Sequence, residues 1–266
     1  MTPNATTTGG SSEAVSKTPN MRSLTRALEI FAELQRSERP QRLSDLSKAC
    51  GMSLPTTLRI LRVLQEFDMV SQQDKAYRIG PAAVPAARSF LELDPLVVAA
   101  RPVLQQLASQ TGLTASLHTR LGFERALVLR HDGDAPLRYD HPLGRRLPLT
   151  MGAAGKILIA AADDDELARI VGAAIALGYE EEGFTTRTLR ERLPEPGVDF
   201  ALSLDERSTG VLSVAVAVPT RVGPASESVA LTAPVEAAEE GLLLSCVPEL
   251  RRAAARVSES LKTSVY

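Results

Sequence analysis

The N-terminal part of the chain carries the pattern that most restricts the fold. One amphipathic stretch places apolar residues every three or four positions, at Leu24, Ala27, Leu28, Phe31 and Leu34, which is the spacing of one helix face. A short helical segment follows and ends at Gly51, a residue type suited to the position after a helix C-terminus. A longer helix is predicted from Ser53 to about Phe67, and two β-rich runs, Met69–Ser71 and Ala76–Ile79, then enclose a polar turn.

Helix, short helix, glycine turn, longer helix and hairpin is the element order of a winged helix-turn-helix domain, which we expect over residues 21–82. In such domains the second helix of the pair enters the major groove of DNA. The charge distribution agrees: residues 21–82 carry ten Lys and Arg against seven Asp and Glu, whereas the whole chain has a net charge of −2. A positive segment on a negative chain favours contact with an anionic polymer.

The longer helix is predicted to have two faces. Its apolar face carries Leu54, Leu58, Leu61 and Leu64. Polar side chains near its N-terminus, together with the hairpin turn and the N-terminal arm, are the predicted DNA contacts: Arg22, Ser53, Thr56, Thr57, Arg59, Arg62, Lys75 and Arg78. The alternative is that the two helix arginines are solvated charges that pair with Glu66 or Asp68.

The rest of the chain predicts a tail, a linker and a second domain. Residues 1–20 are polar and lack an apolar stretch, so we expect a disordered tail rather than a signal peptide. Residues 83–100 are predicted to form a linker helix, and a new helix is expected to begin at Asp94-Pro95. The apolar side chains of this linker are predicted dimer contacts: Phe90, Leu91, Leu93 and Val97.

Residues 101–266 alternate β-rich stretches with helical patterns. The stretches are Thr114–Thr119, Arg125–Arg130, Val198–Leu204, Val211–Val218 and Ser228–Thr232. The helical patterns are Gly152–Ala162, Asp164–Ala176 and Val235–Lys262, the last interrupted by Pro248. This pattern predicts an α+β domain with one sheet covered by helices.

The chain resembles the IclR-type bacterial transcriptional regulators. The N-terminal motifs are Ser23-Leu-x-Arg-Ala-Leu-x-Ile30, Leu43-x-x-Leu46, Gly51, Thr56 with Arg59, and Tyr77-Arg-Ile-Gly80; the C-terminal motifs are Ala100-Arg-Pro-x-Leu104, Thr111-Gly112, Gly144-Arg-x-x-Pro148-Leu149, Gly155-Lys156 and Asp205-Glu206-x-x-x-Gly210. The resemblance spans about residues 21–260 and rests on motif order and spacing. It implies an N-terminal winged helix-turn-helix, a linker helix and a C-terminal GAF-like domain that binds a small organic effector, in a homodimer or a dimer of dimers.

One segment of the second domain suggests an anion site. Turn-forming residues precede a helix that begins near Gly152, and first-turn amides of helices attract anions. A carboxylate effector is therefore predicted to dock on the amides of Ala153 and Ala154, between apolar walls formed by Leu143 and Met151. The resemblance adds four polar positions to the predicted pocket: Ser203, Asp205, Ser213 and Thr232. The sequence shows no obvious buried arginine for this site, and close helix packing at residues 152–156 is an equal alternative.

Signals of catalysis and of metal binding are weak in this sequence. Thr150 and Ile157 break the pattern of a phosphate-binding loop, and no Gly-x-Ser-x-Gly motif occurs. Two cysteines, Cys50 and Cys246, are too few for a cysteine-based zinc site. We therefore predict no catalytic residue, no metal and no cofactor.

The preferred function is a cytoplasmic, sequence-specific DNA-binding regulator whose operator binding is modulated by a small organic acid, with no membrane segment. Two alternatives stay open. A regulator that has lost ligand sensing is one, because Ser213 replaces a cysteine common in the family and residues 192–197 depart from the family pattern. An acid-converting enzyme with a DNA-binding domain is the other, and the lack of catalytic motifs counts against it.

Overall fold

The computed structural model describes residues 21–134, 142–206, 210–220 and 223–263, so the predicted tail at 1–20 lies outside the described residues. The chain divides into two compact units between Gly80 and Pro81, close to the predicted boundary after residue 82. We call residues 21–80 the N-terminal domain and residues 81–263 the C-terminal domain.

The N-terminal domain has the predicted winged helix-turn-helix order. Its elements are α1 (Arg22–Arg36), β1 (Gln41–Arg42), α2 (Leu43–Ala49), α3 (Leu54–Glu66), β2 (Val70–Gln73) and β3 (Ala76–Ile79). The three strands form an antiparallel sheet in the order β1-β3-β2. The hairpin turn places Asp74 and Lys75 at φ of 51° and 64°, as a two-residue type I′ turn requires. The two β-rich runs are therefore confirmed as the wing, within two residues of their predicted bounds.

The buried face of α3 differs from the predicted one. Leu61 is fully buried among Ile30, Leu46 and Tyr77, but Leu54 is 49% exposed. Thr57 and Ile60 are buried in its place. The Thr57 hydroxyl donates to the backbone carbonyl of Ser53 at 3.1 Å, which satisfies its polar group inside the domain. A threonine can bury its methyl group when its hydroxyl is hydrogen-bonded in this way. An interpretation that counts only the leucines therefore places the apolar face of α3 too close to Leu54.

The C-terminal domain is built around one sheet. Its elements are α4 (Ala83–Leu93), α5 (Pro95–Thr111), β4 (Thr114–Leu121), β5 (Glu124–His131), β6 (Arg146–Pro148), α6 (Ala153–Leu158), α7 (Asp164–Ala176), α8 (Thr186–Arg192), β7 (Phe200–Leu204), β8 (Val211–Ala217), β9 (Glu227–Pro234), α9 (Glu240–Ser245) and α10 (Val247–Thr263). The sheet has six antiparallel strands in the order β6-β5-β4-β9-β8-β7. All five predicted β-rich stretches are strands of this sheet.

The two faces of the sheet carry side chains of different size. On one face, Leu117, Val214 and Leu231 join a large aliphatic core with α5 and α10. On the other face, small side chains lie under α6: Ala201, Ala215 and Ala230. Alternate residues of a strand point to opposite faces, so each strand supplies both surfaces. The small side chains allow α6 to lie close to the sheet.

The predicted linker helix is two helices. Asp94 separates α4 from α5, and its carboxylate accepts hydrogen bonds from the amides of Leu96 at 3.0 Å and Val97 at 3.3 Å. This is an N-cap with Pro95 in the first turn, so the predicted boundary at residue 100 falls inside α5. Val97 is completely buried in the C-terminal domain, and its predicted role as a dimer contact is wrong.

Short elements account for the other differences from the prediction. The pattern analysis missed β1, β6 and α8, and α6 ends at Leu158 rather than at Ala162. The last helical pattern is divided at Cys246, just before the predicted interruption at Pro248. Pro248 lies in the first turn of α10, where a missing amide donor costs no helical hydrogen bond.

Burial of Leu61 generates a prediction for the N-terminal domain. Leu61→Ala should lower the free energy of opening of this domain by about 2–5 kcal/mol, because it leaves a cavity in a packed core. Leu54→Ala removes the same atoms from the exposed side of the same helix and should cost less than about 0.5 kcal/mol. Hydrogen–deuterium exchange of α3 peptides measures both. Equal losses would contradict the assigned core.

Candidate functional site

The outer face of α3 presents cations to solvent. Arg59 and Arg62 are exposed, as is Ser53, which precedes the helix, while Thr56 is half-buried. The Ser53 and Thr56 hydroxyls are 2.9 Å apart, so the two side chains hold each other at the start of the helix. Neither arginine makes an ion pair with a residue that the structure describes. The alternative in which they pair with Glu66 or Asp68 is therefore not observed.

Thr57 does not belong to this face. It was expected to contact DNA, but its side chain is fully buried in the N-terminal domain. Position 57 lies 100° from position 56 around the helix, which turns it into the core. A buried side chain cannot reach a duplex, and the prediction for this residue is wrong.

The other predicted DNA contacts lie on the domain surface. Lys75 is exposed in the wing turn, and Arg78 is exposed on β3, opposite Ser71 in register. Arg22 is exposed at the first residue of α1. The structure therefore leaves all three side chains accessible to an external partner.

A row of hydroxyl groups crosses the C-terminal sheet. Ser203 on β7 lies directly opposite Ser213 on β8, and Ser213 lies opposite Thr232 on β9. Directly opposed residues of an antiparallel sheet share a face, so the three hydroxyls form one line. They border a cavity of about 40 Å³ that also has Ala153 and Ala154 of α6 in its wall. Five of the predicted pocket residues are therefore brought together.

A buried arginine closes one side of this cavity. Arg125 on β5 is only 2% exposed, and it lines the cavity. Its Nη1 donates to the backbone carbonyl of Pro148 and, at 3.1 Å, to that of Met151. The sequence interpretation that found no buried arginine is wrong. The available signal was the position of Arg125 directly before the apolar run 126–129. A charged residue that is buried with such a run is rare outside specific sites.

Glycines make room for the Arg125 guanidinium. A Cβ atom at Gly152 would lie 2.9 Å from Arg125 Nη2, and Gly152 has a φ of 74°, which favours glycine. A Cβ atom at Gly155 would lie 2.7 Å from the carbonyl oxygen of Leu149. Side chains at either position would compete with the arginine or with the backbone that holds it.

His118 is the second nitrogen-bearing side chain in the cavity wall. It lies on β4, is buried, and has its Nε2 3.3 Å from the Ser116 hydroxyl. No other histidine lies at ligand-type spacing from it in the sequence, so pattern analysis did not place it in the site. Together with Arg125, it adds hydrogen-bonding groups to the cavity wall.

The first turn of α6 contributes backbone donors. The amides of Ala153 and Ala154 have no acceptor among the residues that the structure describes. The Gly152 amide donates to Glu206 Oε2 at 3.0 Å, and the other oxygen of Glu206 accepts from the buried Lys156. The packing alternative for residues 152–156 is also observed, since Ala153 and Ala154 are part of a buried cluster with the sheet alanines.

Three predicted pocket residues lie outside the cavity wall. Met151 contributes its backbone carbonyl to Arg125, and its side chain does not line the cavity. Leu143 is half-exposed. The amide of Gly144 donates a backbone hydrogen bond that holds the adjacent turn. The Asp205 carboxylate accepts hydrogen bonds from the amides of Gly210 at 2.6 Å and Val211 at 3.2 Å, so it closes the turn before β8.

Reactive and metal-binding arrangements are absent within the described ranges. No cluster of three or more His, Cys, Asp or Glu side chains there is placed to hold a metal ion. Burial, with a smaller contribution from Glu33 and Glu29, raises the pKa of the Cys50 thiol to about 11. This cysteine is therefore a protonated, weakly nucleophilic thiol at neutral pH. In the same ranges, every helix is too short or too polar to cross a bilayer.

A winged helix-turn-helix with an exposed cationic helix, followed by a domain with a polar cavity, is the arrangement of a DNA-binding transcriptional regulator. Two family models match the chain: the C-terminal domain of the bacterial transcriptional regulator IclR over residues 89–259, and the IclR helix-turn-helix domain over residues 23–74. The chain belongs to the IclR family.

Individual relatives agree with this assignment. The HTH-type transcriptional repressor AllR of Salmonella typhi is 27% identical over 90% of this chain and 89% of the repressor. The crystal structure of an IclR regulator from Alicyclobacillus acidocaldarius matches with a TM-score of 0.71 and 24% identity, covering 90% of this chain and 98% of that one. These relatives are regulators of transcription, which decides against the enzyme alternative.

A third comparison concerns a homologue with a ligand. The crystal structure of an IclR homolog from Microbacterium hydrocarbonoxydans, complexed with 4-hydroxybenzoate, matches with a TM-score of 0.65 at 17% identity. It covers 91% of this chain and 100% of that chain. At this identity the likeness shows a shared fold.

Exposure of Arg59 generates a prediction for DNA binding. Arg59→Ala should weaken binding to a DNA fragment selected by this protein by about 1–3 kcal/mol, because it removes a base-edge or phosphate contact. Arg187→Ala is the control, since Arg187 is an exposed arginine on α8 of the C-terminal domain. Fluorescence anisotropy at fixed ionic strength measures both affinities. Equal effects of the two substitutions would remove Arg59 from the DNA contact surface.

Proposed function

We propose that the chain is a ligand-responsive regulator in which a small organic acid, bound in the cavity under α6, changes the affinity of the N-terminal domain for operator DNA. The observation that carries this proposal is the polar lining of the cavity. Arg125 and the first-turn amides of α6 supply donors, and the hydroxyls of Ser203, Ser213 and Thr232 face them. Such a set of groups, in a domain separate from the DNA-binding one, suits a carboxylate ligand.

Two further observations support an acidic ligand. The homologue from Microbacterium hydrocarbonoxydans has a carboxylate, 4-hydroxybenzoate, bound to the same fold. Glu206 of this chain already places its own carboxylate on the Gly152 amide and Lys156, next to the cavity. The first turn of α6 therefore already accommodates one carboxylate.

The alternative of a regulator without ligand sensing is less favoured. Ser213, which prompted it, supplies a hydroxyl to the cavity wall rather than blocking the cavity. Residues 192–197, the other departure from the family pattern, do not line the cavity. Both departures therefore leave the candidate site intact.

We expect the DNA contacts to come from the exposed side chains of the N-terminal domain: Arg22, Ser53, Thr56, Arg59, Arg62, Lys75 and Arg78. One such domain reads a short half-site, and two-fold pairs read half-sites about one helical turn, or roughly 34 Å, apart. A homodimer, or a dimer of dimers, follows from this geometry. A regulator that binds the bacterial chromosome acts in the cytoplasm.

The surface that suits the dimer is α4. No residue of this helix is buried, although it carries large apolar side chains: Val84, Phe90 and Leu93 are all exposed, the last to 73%. Helix α4 contacts α5, but Phe90 and Leu93, about 60° apart around the helix, stay exposed, which is an unfavourable apolar surface in water. Pairing of two copies along α4 would cover it.

The effector half of the proposal predicts a change in DNA affinity. At least one acid among acetate, pyruvate, benzoate and 4-hydroxybenzoate should change the dissociation constant for operator DNA by fivefold or more, because allosteric coupling is typically about 1–3 kcal/mol. Anisotropy titrations at matched ionic strength, with sodium chloride replacing each salt, separate this from electrostatic screening. If every acid behaves like sodium chloride, the regulator without ligand sensing is the better description.

The dimer half predicts an effect of charge on α4. Phe90→Asp should raise the dimer dissociation constant at least tenfold, because it places a carboxylate in an apolar contact. Arg88→Gln changes the net charge by the same amount on the side of the helix about 160° from Phe90 and should have a much smaller effect. Sedimentation equilibrium measures both. A dimer that is unaffected by Phe90→Asp would place the contact elsewhere.

A further inference from the structure

We propose that Arg125 is the residue that makes the cavity under α6 selective for short carboxylates. It supplies the charge that recognises the acid, and its side chain limits the size of the ligand. Removing it would therefore shift the preference of the cavity towards larger and uncharged molecules. This inference rests on the proposed function, since it takes the cavity as the effector site.

The size limit follows from the cavity volume. The space bordered by Arg125, Ala153 and the hydroxyl row is about 40 Å³, room for a few water-sized groups at the roughly 10–15 Å³ that a cavity needs to hold one water. Sites for ordinary organic ligands measure about 300–1,000 Å³. A ligand of a few non-hydrogen atoms is therefore the size that the present walls suit, and an aromatic ring requires a wall to move.

Arg125 is the wall that is both large and replaceable by a smaller side chain. Of the other wall residues, Ala153, Ala154 and Ala230 carry only methyl groups, while His118 and Val211 have shorter side chains than the arginine. Truncating one of the alanines frees almost no space, whereas truncating Arg125 removes the longest side chain from the cavity wall. Arg125 is therefore the wall residue whose truncation enlarges the cavity most.

The position of the guanidinium is fixed by the backbone. Carbonyl groups of Pro148 and Met151 both accept from Nη1, and the absence of side chains at Gly152 and Gly155 leaves the space that the guanidinium occupies. A guanidinium has five N–H donors in a planar fork. It binds several acceptors at once, so backbone carbonyls and a carboxylate can share it with more geometric specificity than a lysine ammonium offers.

Charge recognition predicts discrimination between an acid and its amide. A hydrogen bond to a charged group contributes about 1.5–3 kcal/mol, which corresponds to a change in dissociation constant of roughly tenfold or more. The amide has nearly the same shape as the acid, so size cannot explain a preference of that order. The hydroxyls of Ser203, Ser213 and Thr232 can donate to either ligand, because a hydroxyl has no charge to match.

The test measures binding to the full-length protein without DNA. Isothermal titration calorimetry with acetate, pyruvate and benzoate, and with acetamide, pyruvamide and benzamide, gives the selectivity of the wild type. The same ligands are then applied to Arg125→Ala and Arg125→Lys. Arg130→Ala is the matched control, because Arg130 lies on the same strand, pairs with Asp132, and is outside the cavity wall.

We expect the wild type to bind acetate or pyruvate at least tenfold more tightly than the matching amide and than benzoate. Arg125→Ala should lose at least tenfold for the short acid and should gain affinity for benzamide, while Arg125→Lys keeps part of the acid preference. Arg130→Ala should match the wild type. If Arg125 had only a structural role, its replacement would weaken the binding of all ligands together and would not reverse their order of preference.

Several results would overturn the inference. One is that Arg125→Ala binds the short acid within twofold of the wild type, and another is that the wild type does not distinguish acid from amide. If Arg125→Ala fails to fold, as judged by circular dichroism, the wild-type ligand series and Arg125→Lys still decide. Acids that bind through Arg125 without changing DNA affinity contradict the proposed function alone, whereas a wild type that binds none of the acids contradicts both.

Discussion

The strict alternation of side chains along β8 and β9 is the constraint on which the C-terminal domain depends. One set of positions carries Val214 and Leu231 into the aliphatic core, and the other set carries alanines and hydroxyls towards α6. A shift of register by one residue would exchange the two sets and would bury hydroxyls in the core. The same pairing that stabilises the domain therefore also creates the polar cavity, and the site cannot be separated from the sheet that holds it.

Buried polarity is concentrated at the edge of this sheet near β5 and β6. Arg125 and Glu124 are adjacent in sequence, and both are buried. Glu124 accepts hydrogen bonds from Arg146 at 2.9 Å and Tyr179 at 2.8 Å, while Arg125 donates to backbone carbonyls. Taking charges out of water is costly unless such partners are present. The backbone carbonyls that accept from Arg125 therefore keep its charge beside the cavity.

The N-terminal domain also uses the two sides of one element for different purposes. Helix α3 divides its side chains between a core centred on Leu61 and an outer face that carries Arg59 and Arg62. The outer arginines are not used for internal ion pairs with described residues, so the domain holds its shape through the core and leaves its cations for an external anion. A ligand in the other domain can affect this surface only by binding one arrangement of the dimer better than another.

The sequence by itself determined the helix and hairpin order of the winged helix-turn-helix, the five long strands of the C-terminal sheet and the exposed arginines of α3, because these depend on local periodicity, turn residues and charge. Only the tertiary structure decided that Thr57 is buried, that Val97 is core, that Asp205 closes a turn and that Arg125 lies in the cavity wall. These outcomes depend on contacts between residues distant in the chain, such as β5 with the turn before α6. Periodicity shows which face of an element is apolar, but it does not show what the opposite face meets when another element packs against it.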